Sequence, residues 1–342
     1  MTLRVAVNGY GVIGRRVADA VTVQDDMTLA GVADVATDWR ARIAARRGIP
    51  LYGATDDALR EMKVAGLEPK GELRSLLAEA DVVVDCTPKG VDARNRSIYE
   101  EAEIRAVFQG GAKHELAGHS FVASANYESA LDRRMTRVVS CNTTATVRTL
   151  LALRKADLLL RARGVLIRRA TDPWESHRDG IMNTMVPEPH IPSHQGPDAR
   201  TVIPELDVIT MASKAPQNVG HLHHWVVELT RPAAREEVLD AFRAVPRIAF
   251  VRAGEGIEAL NVTAEVMKEI GRPRGDMWEV ALWEDILTVQ GRELFYAYQV
   301  DNQAIVVPET IDAIRALSGT ERDPTRSIER TDAALGIRQE FL

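Results

Sequence analysis

Residues 3–22, LRVAVNGYGVIGRRVADAVT, carry the pattern that decides the fold of this chain. The apolar run at 3–8 predicts a short buried strand, and the residues after the glycines have the spacing of a helix packed on a sheet. A second apolar run, 27–33, ends at Asp34, twenty residues beyond Gly14. Strand, G-x-G-x-x-G turn, helix and terminal acid together predict a dinucleotide site. Its candidate cofactor contacts are Gly9, Gly11, Val12, Ile13, Gly14 and Asp34.

The alternation of strands and helices continues to about residue 140. DVVVDCTP (81–88), RAVFQGG (105–111) and SFVASAN (120–126) are predicted strands, and a helix is predicted at 93–102. This order predicts an α/β fold with a Rossmann-type doubly wound sheet over residues 1–140. Open sheets of this kind place their ligands at the carboxyl ends of the strands.

The pattern of predicted secondary structure changes after residue 140. Residues 144–160 predict one long helix, and extended runs follow at 164–170, 221–230, 247–251 and 277–289. The last run continues through a Gly291 turn into 292–300, which predicts a hairpin. We therefore expect an α+β substrate and catalytic domain at 141–303, with a functional loop rich in Pro, Gly and His between Asp172 and Pro204. The segment 304–342, a helix at 308–319 and a charged tail, is expected to pack on the first domain.

Size and composition limit the functional classes. The chain has 342 residues, a net charge of −6 and two cysteines. The negative net charge gives no reason to expect a nucleic-acid or membrane partner. The sequence shows neither a signal-peptide pattern nor an apolar run approaching the ~18 residues that span a bilayer. Two cysteines make a poor disulfide framework, so we expect a reduced cytoplasmic protein.

Cys141 lies within VVSCNTT (138–144), where an apolar run meets small polar residues and a predicted helix. The thiolate is the reactive form of cysteine, and both a helix amino terminus and a nearby histidine favour it. Ser140, Asn142 and Thr143 offer donors that could cap the helix, hold an oxyanion or bind a phosphate. The alternative is a buried small residue beside a helix cap, and this alternative fits Cys86 better.

Three histidines begin the run HLHHWVVELT at residue 221. Strand alternation places His221 and His223 on one face and His224 on the other. A metal site would need a third ligand from a distant loop, so no metal is predicted. A structural role at the strand edge and a general base opposite Cys141 are the other interpretations, and the base is favoured.

These motifs resemble those of the archaeal-type (type II) glyceraldehyde-3-phosphate dehydrogenases. VNGYGVIGRRVADAV, VDCTP, FQGG, VVSCNTT, IRRATDP, IPSHQGPD, HLHHWVVEL and VPETIDAIRAL follow the order of that family over nearly the whole chain. The resemblance implies oxidation of glyceraldehyde 3-phosphate with NAD or NADP and inorganic phosphate, by way of a thioester. It also implies a homotetramer that serves glycolysis or gluconeogenesis.

Residue roles follow from the same resemblance. It implies that Cys141 is the nucleophile and His221 the base, with His223 as the alternative base. The implied substrate contacts are Ser140, Asn142, Thr143, His194 and Gln195. Further implied cofactor contacts are Gly111, Arg169 and Asn302, with Gln303 as the alternative to Asn302.

Gln195 and Asp34 depart from the family pattern. Gln195 stands where the family often has a second histidine, and Asp34 stands where a lysine is common. A carboxylate at Asp34 can bind the ribose hydroxyls of NAD and would repel the 2′-phosphate of NADP, so we expect a preference for NAD. The rival functions are a related semialdehyde dehydrogenase or acyl-phosphate reductase and, in another class, a non-catalytic nucleotide-binding protein.

Overall fold

The computed structural model describes residues 2–109, 111–172 and 183–342. Its strands are β1 (Leu3–Asn8), β2 (Met27–Asp34), β3 (Leu51–Gly53), β4 (Gly71–Glu72), β5 (Val82–Asp85), β6 (Arg105–Phe108), β7 (Ser120–Phe121), β8 (Met135–Val138), β9 (Leu159–Arg169), β10 (Val186–Pro187), β11 (Val208–Ala215), β12 (His221–Leu229), β13 (Ile248–Val251), β14 (Val280–Trp283), β15 (Thr288–Gln290) and β16 (Glu293–Val300).

The α-helices are α1 (Val12–Thr22), α2 (Trp39–Arg46), α3 (Asp56–Val64), α4 (Leu73–Ala78), α5 (Asp92–Glu101), α6 (His114–Ala117), α7 (Ala123–Asn126), α8 (Cys141–Lys155), α9 (Gln195–Ala199), α10 (Arg235–Arg243), α11 (Leu260–Glu269), α12 (Val306–Ser318) and α13 (Pro324–Leu335). Two 3₁₀ turns lie at Tyr127–Ala130 and Ala253–Glu255.

The chain divides into two compact units. The first comprises Met1–Val139 with Val306–Gly336, and the second comprises Ser140–Ile305 with Ile337–Leu342. The last six residues thus lie in the second unit, where Glu340 bridges to Phe250 of β13. As folding domains, the segments 1–140, 141–303 and 304–342 stay a prediction.

The first unit is built on one parallel sheet. Its strand order is β4-β3-β2-β1-β5-β6-β8-β7, and every neighbouring pair is parallel. The strand order reverses beside β1, which is the switch point at which doubly wound sheets bind their ligands. The predicted Rossmann-type fold is confirmed.

Helix α12 is buried along almost its whole length in the first unit. Its Arg315 forms an ion pair with Asp26 at 2.8 Å, and Glu309 accepts a hydrogen bond from the main-chain N–H of Ala123 at 2.6 Å. Buried charges in proteins need such partners. Helix α13 occupies part of the tail that the sequence left unassigned, and Asp323 caps its first turn.

The second unit contains a mixed sheet, as the predicted α+β fold requires. The order is β10-β11-β9-β12-β16-β14-β13, with β15 paired to β16 in the predicted hairpin. Three element predictions are wrong. The extended run predicted at 277–289 is interrupted by a turn between β14 and β15. The helix predicted at 144–160 ends at Lys155 because Asp157 adopts a left-handed turn, and Leu159 begins β9. The strand predicted at 120–126 stops at Phe121 because the chain turns into α7.

Candidate active site

The glycine turn after β1 brings backbone segments into close approach. Gly9 has a φ of +94°, and a Cβ there would lie 2.8 Å from the main-chain carbonyl of Cys86. A Cβ on Gly14 would lie only 1.8 Å from the main-chain oxygen of Gly9. Gly11 differs, because a Cβ there would meet no atom within 4 Å. Two glycines are needed for packing, and Gly11 leaves open space at the amino end of α1, a position that suits a phosphate.

Asp34 closes β2 beside this turn. Its two carboxylate oxygens accept hydrogen bonds from the main-chain N–H groups of Tyr10 and Ala36, the latter at 2.7 Å. The acid is therefore fixed to the glycine turn by the backbone. Val12 and Ile13 form the first turn of α1. These residues fit a nicotinamide dinucleotide.

Gly111 lies after β6 in the first unit. A Cβ there would be 3.5 Å from the Cβ of Lys89, which is an ordinary van der Waals distance. Packing against the protein therefore does not demand glycine at this position. The preceding residue of FQGG lies outside the described residues.

Cys141 is the first residue of α8 and is partly buried. Ser140 is the helix cap, and its hydroxyl accepts a hydrogen bond from the main-chain N–H of Thr143. The two hydroxyls of Ser140 and Thr143 lie 2.9 Å apart, and Thr143 donates to Asp198 of α9 at 2.8 Å. The proton of the Thr143 hydroxyl is thus committed to Asp198, so Ser140 is the donor between the two hydroxyls. Asp198 belongs to the IPSHQGPD motif, but its side chain was not singled out from the sequence.

His221, at the start of β12, approaches the thiol. Its Nε2 lies 3.5 Å from the Sγ of Cys141, and its Nδ1 accepts a hydrogen bond from the main-chain N–H of Arg169 at 3.0 Å. A main-chain N–H can only donate, so the proton of the neutral imidazole lies on Nε2. In this state His221 is a hydrogen-bond donor to the sulfur.

The electrostatics of this pair differ from the sequence expectation of a favoured thiolate. Burial raises the pKa of the Cys141 thiol to about 11, and the positive charge of Arg169 opposes this only in part. Burial also lowers the pKa of His221 well below its usual value, and the neighbouring His223 adds to this shift. Both groups are therefore predominantly neutral near pH 7. The physical reason is that desolvation of the charged forms outweighs the favourable helix terminus.

His223 lies on the same strand face as His221 but hydrogen-bonds to groups other than the thiol. It is fully buried, its Nε2 lies 2.8 Å from Oδ1 of Asn142, and its Nδ1 lies 3.0 Å from the hydroxyl of Tyr298. His224 is exposed on the other face of β12, as strand alternation predicts. Both ring nitrogens of His223 are engaged, whereas Nε2 of His221 faces the sulfur.

Asp172 contacts three polar side chains in the second unit. It pairs with Arg169 at 3.0 Å and accepts hydrogen bonds from Asn302 at 3.2 Å and from Gln303 at 2.7 Å. The choice between Asn302 and Gln303 as a nicotinamide contact therefore stays open, because both reach the same carboxylate. Asp172 is part of the IRRATDP motif, but sequence reasoning gave it no role.

The predicted phosphate loop contains a buried amide. Gln195 is fully buried, and neither its Oε1 nor its Nε2 has a partner among the described residues. His194 is exposed and lies 3.0 Å from Glu188, which also pairs with Arg168 at 3.2 Å. Buried polar groups without partners are rare in folded proteins, so Gln195 is suited to contact a ligand.

No group of three or more His, Cys, Asp and Glu side chains among the described residues is arranged to hold a metal ion. No helix in the described part of the chain has the length and apolar character needed to cross a membrane.

A dinucleotide-type sheet, together with a cysteine that begins a helix beside a histidine, defines a class of nicotinamide-dependent aldehyde dehydrogenases. Residues 140–271 match the family model for the glyceraldehyde 3-phosphate dehydrogenase C-terminal domain. Proteins named glyceraldehyde-3-phosphate dehydrogenase from Metallosphaera sedula and Thermococcus kodakarensis are each 44% identical to this chain, over 99% and 98% of it and 99% of their own lengths. The one from Methanothermus fervidus is 40% identical over 98% of this chain and 99% of its own length.

The chain belongs to the glyceraldehyde-3-phosphate dehydrogenase family. The family predicted from the motifs is confirmed, and nothing in the comparisons supports a semialdehyde dehydrogenase.

Proposed function

We propose that this chain is a phosphorylating glyceraldehyde-3-phosphate dehydrogenase, which converts glyceraldehyde 3-phosphate, phosphate and NAD(P) to 1,3-bisphosphoglycerate and NAD(P)H. The observation that carries this proposal is the contact between Cys141 and His221, Sγ to Nε2 at 3.5 Å, in a chain of this family. The reaction is reversible and would serve glycolysis or gluconeogenesis.

Cys141 carries the covalent steps of this proposal. The thiol first releases its proton to solvent, because Nε2 of His221 already carries one. The resulting thiolate attacks the aldehyde carbon, and the carbonyl oxygen takes the negative charge. A bound nicotinamide supplies the hydride acceptor. Loss of hydride from the same carbon leaves a thioester on the sulfur. An oxygen of inorganic phosphate then attacks the thioester carbon, so that the acyl phosphate leaves and the thiolate returns.

We assign the proton chemistry at the substrate oxygen to His221. Its Nε2–H, fixed by the main-chain bond from Arg169 to Nδ1, can donate to the oxygen while that oxygen is charged. The base role predicted from the sequence has a further requirement, because Nε2 must first release this proton before it can accept the hydroxyl proton.

The substrate and cofactor contacts remain those predicted from the sequence. We propose that the substrate and its phosphate are held by Ser140, Asn142, Thr143, His194 and Gln195. We propose that the cofactor is held by Gly9, Gly11, Val12, Ile13, Gly14, Asp34, Gly111, Arg169 and Asn302. The unpartnered amide of Gln195 and the open space at Gly11 support these assignments.

We propose NAD as the preferred cofactor. Asp34 accepts one hydrogen bond from the main-chain N–H of Tyr10 in the glycine turn and one from that of Ala36, so its charge cannot easily move. Like charges at ~4 Å repel by about 1–4 kcal/mol, depending on screening. Arg40, which follows on α2, is paired with Asp38 at 2.8 Å. Arg15 stacks on Trp39, with 4.7 Å between guanidinium carbon and ring centroid.

We propose a homotetramer in the cytoplasm. The second unit exposes four apolar side chains on β9, β11 and β12, Val165, Ile209, Met211 and Val226, with Arg163 and His224 in the same cross-strand rows. Met211 pairs with Val165 in register, so these side chains adjoin. Exposed apolar side chains of this kind are commonly buried between copies of a chain, and light scattering of the purified protein measures the copy number. The free thiols Cys86 and Cys141 suit a reducing compartment.

One assay tests the proposed function. The purified protein should form NADH from glyceraldehyde 3-phosphate only when phosphate is added, and iodoacetate should abolish this activity. Aspartate semialdehyde at the same concentration is the matched control. Turnover of the semialdehyde alone would favour the related dehydrogenase, and turnover of neither would favour a non-catalytic protein.

A further inference from the structure

A buried chain of hydrogen bonds ends at the residue that follows the nucleophile. It runs from the hydroxyl of Tyr298 through the imidazole of His223 to the side-chain amide of Asn142. All three residues lie in the second unit, and all three are buried. We propose that His223 is a positioning residue that sets which end of the Asn142 amide faces the reacting oxygen of the substrate.

The direction of each bond follows from the chemistry of the groups. Oδ1 of Asn142 can only accept, so Nε2 of His223 must carry the proton and donate. Nδ1 of the neutral ring then has a lone pair and accepts from the Tyr298 hydroxyl. Burial holds the ring neutral, because it lowers the pKa of His223 to about 3. The tautomer is therefore set by its two partners.

This tautomer fixes the orientation of the Asn142 amide. With Oδ1 held by His223, the NH₂ group is directed away from that ring. Asn142 follows Cys141 in the first turn of α8. The NH₂ group is thus available as a donor to an oxygen on a carbon bonded to Sγ. If the amide turned over, a carbonyl oxygen would face that negative charge and repel it.

The inference deepens the proposed function and rests on it, because it needs Asn142 to contact the substrate. It also separates the roles of two histidines on one strand face. His221 contacts the sulfur directly, whereas His223 contacts only Asn142 and Tyr298 in the hydrogen bonds described. If His223 had a purely structural role, its substitution should lower kcat by the same factor whether or not Asn142 is present.

A double-mutant cycle on the full-length enzyme tests this dependence. His223→Leu should lower kcat about 100-fold, the usual effect of losing one oxyanion donor, and change the KM for glyceraldehyde 3-phosphate only a few-fold. His223→Gln can still donate to Asn142, so kcat should stay within about tenfold of wild type. Asn142→Ala with His223→Leu should be no slower than Asn142→Ala alone, because the two residues act as one unit. His224→Gln, on the exposed face, is the matched control.

Two results would overturn the inference. One is a double variant in which the fold-loss of kcat equals the product of the fold-losses in the two single variants. The other is a His223→Leu enzyme with wild-type kcat. Should His223→Leu fail to fold, the His223→Gln and Tyr298→Phe variants still allow the comparison, since each retains a buried ring or amide. An inactive wild-type enzyme would instead count against the proposed function.

Nitrogen-15 NMR of the histidine rings provides a readout that does not need activity. The wild-type protein should show His223 as the neutral Nε2–H tautomer throughout pH 6 to 9. Tyr298→Phe removes the donor to Nδ1, so a measurable fraction of the Nδ1–H tautomer should appear. Observation of the Nδ1–H tautomer in wild type would overturn the proposal.

Discussion

Two junctions between a parallel strand and a helix, the one from β1 to α1 and the one from β8 to α8, differ in how the helix begins. After β1, Gly11 caps α1 without a side chain and leaves open space around the main-chain N–H groups. After β8, Ser140 caps α8 with its hydroxyl, and Cys141 begins the helix. In the function that we propose, the first junction offers backbone donors to a phosphate, whereas the second offers a nucleophile. The junction at Gly11 requires open space beside the helix end, whereas the junction at Cys141 requires side chains from distant parts of the chain.

The largest expected effect comes from the sulfur of the second junction. Cys141→Ser should lower turnover at least ~10³-fold, because an unactivated hydroxyl is a far weaker nucleophile than a thiolate. Steady-state assays with glyceraldehyde 3-phosphate and phosphate measure the loss. Cys86→Ser is the matched control and should stay within a few-fold of wild type. A dead Cys86→Ser enzyme beside an active Cys141→Ser enzyme would exchange the two assignments.

The pH dependence of alkylation tests the electrostatics of the same junction. Because the pKa of the Cys141 thiol is raised to about 11, the thiolate fraction in the free enzyme should rise tenfold with each pH unit. The rate of alkylation by iodoacetamide, a neutral reagent, should therefore increase about 100-fold from pH 7 to pH 9. A rate that is constant over this range would reveal a thiolate already paired with protonated His221.

Alanine at two glycines distinguishes packing from binding at the first junction. Gly14→Ala places a Cβ 1.8 Å from the Gly9 oxygen, and should lower the free energy of unfolding by about 1–3 kcal/mol through overpacking. Gly11→Ala meets no protein atom within 4 Å, so its stability should be close to wild type while its affinity for NAD falls. Thermal unfolding and NAD titration of both variants provide the comparison. Equal destabilisation by the two would contradict this distinction.

The smallest expected effect concerns the choice of cofactor. The ratio of kcat/KM for NAD to that for NADP should be about tenfold or more in wild type, as repulsion between Asp34 and a 2′-phosphate predicts. Asp34→Asn removes the charge and keeps one oxygen to accept a hydrogen bond from the glycine turn, so the ratio should fall. Asp38→Asn, an acid already paired with Arg40, is the control. A wild-type preference for NADP would refute the proposal.

Local sequence patterns predicted most of the strands and helices of the first unit and fewer of those of the second. G-x-G-x-x-G and the acid that ends β2 predicted a binding turn because all the parts of this pattern lie within 34 residues of the amino terminus. The end of α8 at Lys155 was missed because apolar residues continue into β9, and apolar spacing alone does not separate a helix from a buried strand. The helix at 324–335 was missed because its face is polar, with Ser327 and Thr331 donating to Asp312.

The sequence by itself determined the family, the α/β and α+β fold classes and the candidate thiol, because these depend on motifs and on short-range periodicity. Only the tertiary structure decided what surrounds that thiol. The partners of Cys141 and Asn142 are His221 and His223, 80 and 81 positions further along the chain. Burial of these side chains raises the pKa of the thiol to about 11 and lowers the pKa values of both imidazoles below the ordinary histidine value, so their neutral forms are strengthened. Desolvation depends on the whole packed environment of a group, and no local pattern of residues encodes it.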